Sequence, residues 1–240
     1  MGQKVRPTGF RTGIMTDWQS RWFAGKHDFA DLLLEDQKIR KYIKGRFEKG
    51  ERGTQRSGIA RIKIERTRER VTVFIHSARV GVIIGKKGAT VDELTKELED
   101  LTHRVIEVKT MEVNRPEVDP QLVAEDIAEQ LEKRASFRRT MKRTMDQTME
   151  AGARGVRIQL AGRLGGSEMA RTESCMAGSI PLSTLRAKVE FGFTEAHTAQ
   201  GNIGIKVWIN NGDYLDPEVS DAVNAQASKV PKKSAGKGKR

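Results

Sequence analysis

Four consecutive residues, Gly85-Lys86-Lys87-Gly88, have the types and spacing of a phosphate-binding loop. Glycine has no Cβ, so the backbone at Gly85 and Gly88 is free to turn sharply and to lie close to a phosphate. The two lysines between them place positive charge at the same point. A helix is predicted to follow directly, and the amides at a helix N-terminus also favour anions. Glycine turns are common, so the weight of this motif depends on the elements and the charge around it.

The chain as a whole is strongly basic. It has 240 residues, a formal net charge of +12 and an isoelectric point near 9.9. This length is enough for one large domain or two small ones. A basic surplus of this size predicts a polyanionic partner whose binding weakens as salt rises. A membrane partner is not expected, because no apolar run is long enough to span a bilayer and no helix pairs a wide apolar face with interfacial aromatic residues.

The residues give little support for enzyme chemistry. One cysteine, Cys175, excludes a disulfide framework and fits a reducing cytoplasmic compartment. A nucleotide-binding P-loop needs four residues between its glycines, but Gly81 and Gly85 are separated by three. No metal, cofactor or small-molecule substrate is expected, since the histidines are dispersed and have no cysteine partners at metal-binding spacing. These histidines are His27, His76, His103 and His197.

Hydrophobic periodicity predicts the elements that hold the glycine loop. Ile62 and Ile64 alternate with Lys63 and Glu65, which is typical of a half-buried strand. The predicted order is a helix at 28–47, strands at 60–65 and 71–75, a short helix at 79–84, the glycine loop, a helix at 89–101 and a strand at 104–111. This is the element order of the type II KH fold, in which a GXXG loop clamps a short stretch of nucleic-acid backbone.

A second domain is predicted after residues 114–120, where two prolines restrict the chain. One long helix is expected from Gln121 to Glu150, followed by strands at 155–161, 185–193 and 203–209 and turns at 201–202 and 211–212. The predicted fold class is therefore α+β: a type II KH domain, then an α+β domain with one long helix on a small, mostly antiparallel sheet. The predicted divisions are an extended basic arm at 1–22, the KH domain at 23–113, the second domain at 114–219 and a disordered basic tail at 220–240.

Basic residues on the predicted long helix form a second candidate site: Arg134, Arg138, Arg139, Lys142 and Arg143. Residues four apart lie on one side of a helix, so Arg138 and Lys142 are neighbours, as are Arg139 and Arg143. Like charges placed together cost stability unless a polyanion neutralises them. A merely solvated basic face is the alternative. The absence of any acidic residue between positions 134 and 143 favours the interpretation that this face binds a polyanion.

Two further basic segments are open to more than one interpretation. Segment 162–166 is rich in glycine and precedes Ser167, a residue suited to capping a helix. It is either a loop whose Arg163 and Arg171 contact phosphate or an ordinary strand-to-helix turn. The predicted arm carries two tryptophans, Trp18 and Trp22, which either stack on RNA bases or anchor the arm to the KH domain.

Several motifs, in order and at matching spacing, resemble those of the bacterial small-subunit ribosomal protein three. The resemblance covers roughly residues 1–213 and includes the segments 1–9, 22–24, 81–88, 137–143, 162–166, 170–173, 181–187 and 195–197. It implies a structural protein of the head of the small ribosomal subunit, which binds small-subunit ribosomal RNA in the cytoplasm. It also implies ribosomal proteins ten and fourteen as neighbours in the head, and four and five around the tunnel through which messenger RNA enters.

The same resemblance gives roles to the basic residues. Positions matching Arg138, Arg139 and Lys142 face incoming messenger RNA in this family and help to unwind its hairpins without hydrolysing a nucleotide. Arg134 and Arg143 are grouped with them on the same helix. The KH loop, residues 85–88, is expected to bind RNA. Ribosomal RNA is the expected ligand of these residues in the arm and the second glycine segment: Lys4, Arg6, Arg11, Arg163 and Arg171.

One segment departs from the family pattern. Where the family has an aromatic and basic stretch, residues 174–179 read Ser-Cys-Met-Ala-Gly-Ser, so contacts made through that stretch are not carried over. Two other functions are compatible with parts of the chain. A free KH regulator of messenger RNA is disfavoured by the second domain and the arm. A nuclease or lyase acting on nucleic acid is disfavoured because no metal site or activated lysine is predicted.

Overall fold

The structure is a computed structural model, which describes residues 4–48, 56–67 and 69–215 apart from the side chains of Glu48 and Lys87. The predicted tail at 220–240 lies outside the described residues. The helices are α1 Pro7–Arg11, α2 Phe29–Glu48, α3 Val80–Ile84, α4 Ala89–Thr102, α5 Pro120–Glu132 and α6 Phe137–Glu150. The strands are β1 Ser20–Arg21, β2 Ile59–Arg66, β3 Arg70–Ser77, β4 Val105–Glu112, β5 Gly155–Gly162, β6 Arg171–Gly178, β7 Ala187–Thr198 and β8 Gly201–Asp213.

The first sheet has the strand order β1-β2-β3-β4. β2 and β3 are antiparallel, whereas β3 and β4 are parallel. Complete burial of an aliphatic side chain contributes about 1.5–3 kcal/mol, so the core between this sheet and helices α2 and α4 is a substantial source of stability. The element order predicted from α2 to β4 is confirmed. The core includes Ile39, Ile43, Ile62, Ile64, Val73, Ile75, Leu94 and Leu98.

The second sheet has the strand order β6-β5-β8-β7, and all neighbouring strands are antiparallel. Helices α5 and α6 cover one face of it. The start of α5 lies directly on β7: the two backbones are so close that a Cβ on Gly192 would overlap the carbonyl of Pro120. The prediction of a second α+β domain on an antiparallel sheet is confirmed. Its core includes Val123, Ile127, Leu131, Met141, Ile158 and Val207.

The prediction of a single long helix at 121–150 is wrong. The chain forms two helices, α5 and α6, which are separated at residues 133–136. Arg134 has a φ of 61°, in the left-handed region that ends a helix. The amide of Ala135 donates to the carbonyl of Gln130 at 2.9 Å and closes the last turn of α5. An arginine, and not a glycine, occupies this turn, so the sequence contains no glycine there that would mark the end of a helix. The spacing of the apolar residues does not mark the break either.

Two further predictions fail in the second domain. Ser167 does not cap a helix, since the segment after the glycines leads into strand β6. The turn expected at Asn211-Gly212 lies inside β8. There the register against β7 shifts between Ala187 and Val189, and Gly212 takes a φ of 99° that suits this irregularity.

The predicted arm is not extended throughout. Residues Pro7–Arg11 form the short helix α1. Ser20 and Arg21 then pair with β2 in parallel, opposite Ile64 and Glu65. Since α1 packs beside β7 and β1 joins the first sheet, this segment connects the two halves of the molecule.

Candidate nucleic-acid interface

The glycine loop joins the end of α3 to the start of α4. Gly85 and Gly88 have φ values of 70° and 87°, which residues with a Cβ rarely adopt. A Cβ on Gly85 would overlap the side chain of Thr90, whereas nothing lies within 4 Å of a Cβ built on Gly88. Gly85 is therefore needed for close packing against Thr90, whereas the space next to Gly88 is open. Lys86 is exposed beside that space, so the loop has room and charge for an approaching phosphate.

Helix α6 presents a basic outer face. Its buried side consists of Thr140, Met141, Thr144 and Thr148, at the spacing of a helix that packs on one face. The cations lie on the other side and are exposed: Arg138, Arg139, Lys142 and Arg143. Within the described part of the chain, Arg138, Arg139 and Lys142 form no salt bridge with a carboxylate. This face therefore has unneutralised charge, as the sequence predicted.

The order of charges along α6 opposes the helix dipole. Helix N-termini favour acidic residues and C-termini favour basic ones, each by about 0.3–1 kcal/mol. In α6 the first turn has no acidic residue and the last turn has no basic one. The cations occupy the first half, and Asp146 and Glu150 follow in the second half, along an open groove of about 420 Å³. This arrangement costs stability, which points to a binding role for the cations.

Arg171 lies next to α6 because of how β6 packs on the helix. The guanidinium carbons of Arg138 and Arg171 both lie 5.6 Å from the centre of the Phe137 ring. Arg171 also pairs with Glu173 at 3.3 Å, but both side chains are exposed, so this pair is weak. Arg134 is exposed in the turn before α6. The structure thus joins the basic helix and Arg171 into one surface, which we call the α6 surface.

Arg163, by contrast, holds its own loop. Its guanidinium donates to the carbonyls of Ser167, at 2.9 Å, and Gln200, at 3.1 Å. The side chain remains exposed, but two of its donor directions are already used. The sequence alone does not distinguish Arg163 from Arg171, since only the packing of β6 against α6 gives them different surroundings.

Arg11 is not available for RNA. It is fully buried, and its guanidinium donates to the carbonyls of Ala187 and Thr184, both at 2.7 Å. The prediction that Arg11 contacts ribosomal RNA is therefore corrected: it attaches α1 to the second domain. Lys4 and Arg6 are exposed, and the Arg6 guanidinium lies 5.5 Å from the centre of the Phe191 ring.

The two tryptophans of the arm have different surroundings. The indole N–H of Trp22 donates to Asp36 at 2.8 Å, and its ring lies 5.2 Å from that of Phe29. Trp22 therefore anchors the segment to α2, which is one of the two roles predicted for it. Trp18 remains 61% exposed.

The described residues give no sign of a reactive centre. Burial, with the charges of Arg61 and Lys63, lowers the pKa of His76 to about 4, so this histidine is neutral at pH 7. Burial also raises the pKa of the Cys175 thiol, which disfavours the reactive thiolate. No cluster of three or more metal-binding side chains occurs within residues 4–48, 56–67 and 69–215. In the same ranges, no helix has both the length and the apolar character needed to cross a membrane.

A KH-like sheet with an open GXXG loop, joined to a second domain with a basic helix, defines an RNA-binding protein. Family comparison agrees with both halves. Residues 38–118 match the KH domain, and residues 127–209 match the family described as "Ribosomal protein S3, C-terminal domain".

Full-length relatives extend this match. The "Small ribosomal subunit protein uS3" of Rhodopirellula baltica is 59% identical over 235 residues, which cover 98% of this chain and 99% of the relative. The protein of the same name from Desulforudis audaxviator is 52% identical over 215 residues, which cover 90% of this chain and 95% of the relative. The chain therefore belongs to the uS3 family of small ribosomal subunit proteins.

Family membership settles the general role. The chain is a structural component of the small ribosomal subunit and not an enzyme, and it assembles with ribosomal RNA and other ribosomal proteins in the cytoplasm. Neither the regulator nor the nuclease alternative is supported. The resemblance found in the sequence is confirmed.

Proposed function

We propose that the α6 surface contacts messenger RNA where it enters the small subunit and helps to open its hairpins without nucleotide hydrolysis. Arg138, Arg139 and Lys142 are the principal contacts, with Arg134 and Arg143 beside them. Arg171 extends the surface toward β6. As translocation pulls a hairpin past these cations, the cations bind the phosphates of the entering strand. The second strand of the hairpin is kept out of the entrance and separates from the first.

One observation carries this proposal: Arg138, Arg139 and Lys142 lie exposed in the first half of α6 against the helix dipole. No carboxylate among the described residues forms a salt bridge with them. Such an arrangement is destabilising in the isolated chain and becomes favourable once phosphates lie against it. The contacts would be sequence-independent, because they are made to the backbone and not to base edges. This suits a surface past which every message must move.

We further propose that the glycine loop, 85–88, and the exposed arm residues Lys4 and Arg6 bind ribosomal RNA, with Arg163 contributing at the second glycine segment. The proposed divisions are the arm at 1–22, the KH domain at 23–113, the second domain at 114–219 and the tail at 220–240. Proposed neighbours are ribosomal proteins ten and fourteen in the head, and four and five around the entrance for messenger RNA.

The α6 proposal is tested with ribosomes that carry Arg138→Ala, Arg139→Ala and Lys142→Ala together. We expect elongation through a stable downstream hairpin to slow several-fold, while elongation on an unstructured message stays the same. The matched control replaces three exposed lysines of α2 with alanine: Lys38, Lys41 and Lys44. It removes the same charge from another exposed helix, so equal slowing in both variants would refute a specific role for α6.

The KH loop is tested with two substitutions at the same position. Gly88→Asp adds a negative charge where phosphate should approach, and Gly88→Asn adds nearly the same volume without charge. Both residues tolerate a positive φ better than most, so backbone strain is similar. We expect the aspartate variant to bind ribosomal RNA about tenfold more weakly than the asparagine variant at low salt. Equal binding by the two variants would show that phosphate does not approach this loop.

A further inference from the structure

Strand β6 is an edge strand with a fully regular inner side. Its eight residues pair with β5 in one unbroken antiparallel register, from Gly155 opposite Gly178 to Gly162 opposite Arg171. Among the described residues, no strand pairs with its other side. Alternate N–H and C=O groups along β6 are therefore directed away from the sheet without a partner strand.

Over residues 174–178, the edge of β6 lacks the features by which proteins usually block strand addition. Such features are short length, proline, charged side chains and above all lysine, bulges or a covering segment. β6 has eight residues, with no proline, no lysine and no register shift, and its charged residues, Arg171 and Glu173, lie at its start. Within the part of the chain that the structure describes, no strand covers this edge. The other three sheet edges differ. Strand β7 has a register shift, and Arg11 donates to its Ala187 carbonyl. Strand β1 has only two residues, and strand β4 carries Glu107 and Lys109.

The side chains of β6 suit a close neighbour. Ser174, Met176 and Gly178 are exposed on the outer face, and Met176 is 63% exposed. The only charged residues of the strand are Arg171 and Glu173, which pair with each other at 3.3 Å. Residues 174–178 are therefore an uncharged part of the strand in a chain whose net charge is +12, so this part of the edge does not attract phosphate.

We propose that, in the assembled small subunit, the free edge of β6 pairs with an extended segment of another ribosomal protein. A protein strand offers alternating backbone donors and acceptors that match the edge, which RNA does not. The side chains of residues 174–178 are uncharged and, apart from Met176, small, so they leave space for such a strand. This contact goes beyond the proposed function and does not depend on it, although α6 packs under the same strand.

The occupant is identified by replacing Met176 with the photoreactive residue p-benzoylphenylalanine in assembled small subunits. Irradiation should join this position to an extended segment of another ribosomal protein, identified by mass spectrometry of the crosslinked peptide. Crosslinks to ribosomal RNA, to residues 216–240 of this chain, to a second copy of it, or to nothing would each overturn the proposal.

A charge placed on the edge provides the second test. Ser174→Lys puts a lysine on the outer face of β6, and Gln159→Lys puts the same residue directly opposite it on the interior strand β5. We expect the crosslink from position 176 to fall several-fold with Ser174→Lys and to change little with Gln159→Lys. Equal yields in both variants would contradict strand pairing at this edge. Hydrogen exchange of the β5 amides checks that both variants remain folded.

Discussion

Replacing Arg11 with methionine tests whether the second domain holds the arm. The guanidinium is fully buried, and its two shortest hydrogen bonds, to Ala187 and Thr184, are both 2.7 Å long. A hydrogen bond made by a charged group contributes about 1.5–3 kcal/mol, and its loss leaves a buried carbonyl without a donor. The remaining bonds, at 3.2–3.5 Å, are too long to add much. Methionine fills much of the volume but donates nothing, so we expect the free energy of unfolding to fall by about 3–5 kcal/mol.

The assay is urea unfolding of the full chain, followed by tryptophan fluorescence and circular dichroism. Trp208 lies in β8 and reports on the second domain. Arg11→Lys keeps the charge but not the several donors of the guanidinium, so its free energy of unfolding should fall by about half as much as that of Arg11→Met. Arg6→Met is the control, because Arg6 is exposed and its aromatic contact is worth about 0.5–1 kcal/mol. A loss below about 1 kcal/mol for Arg11→Met would refute the assigned role.

Three other predictions concern stability, measured by the same unfolding assay. Because burial lowers the pKa of His76 from 6.5 to about 4, the unfolded chain takes up a proton in this range and the folded chain does not. Stability should therefore fall by about 1–3 kcal/mol as pH drops from 6.5 to 4, and His76→Gln should remove this loss. Gly85→Ala combines a positive φ with overlap at Thr90 and should cost about 2–4 kcal/mol, against about 1–2 for Gly88→Ala, where space is open. The triple alanine variant of α6 should be about 1 kcal/mol more stable than wild type, because it removes like-charge repulsion and an unfavourable dipole interaction, and a loss of stability would contradict that account.

The first half of the fold was predictable because its elements follow simple periods. β2 alternates apolar and charged residues, and α4 places Leu94 and Leu98 on one side, so burial follows from the pattern. The break between α5 and α6 was not predictable in this way, since Arg134 adopts a conformation usually left to glycine. Strand β6 was missed because an exposed edge of small residues carries little hydrophobic alternation.

The candidate site was predictable in its charges but not in its geometry. The cations of α6 and the glycine loop follow from residue types and spacing. The burial of Arg11 does not, because its main partners lie more than 170 residues away in the chain. The proximity of Arg171 to α6 likewise depends on the packing of β6 beneath the helix.

The most direct test of the α6 surface is to locate its contact with messenger RNA in wild-type small subunits. Messages with 4-thiouridine at successive downstream positions are bound in initiation complexes and irradiated, and crosslinked peptides are sequenced. We expect crosslinks from this chain within residues 134–143 at the positions where the message enters. Crosslinks confined to other segments of the chain, or none at any downstream position, would contradict it.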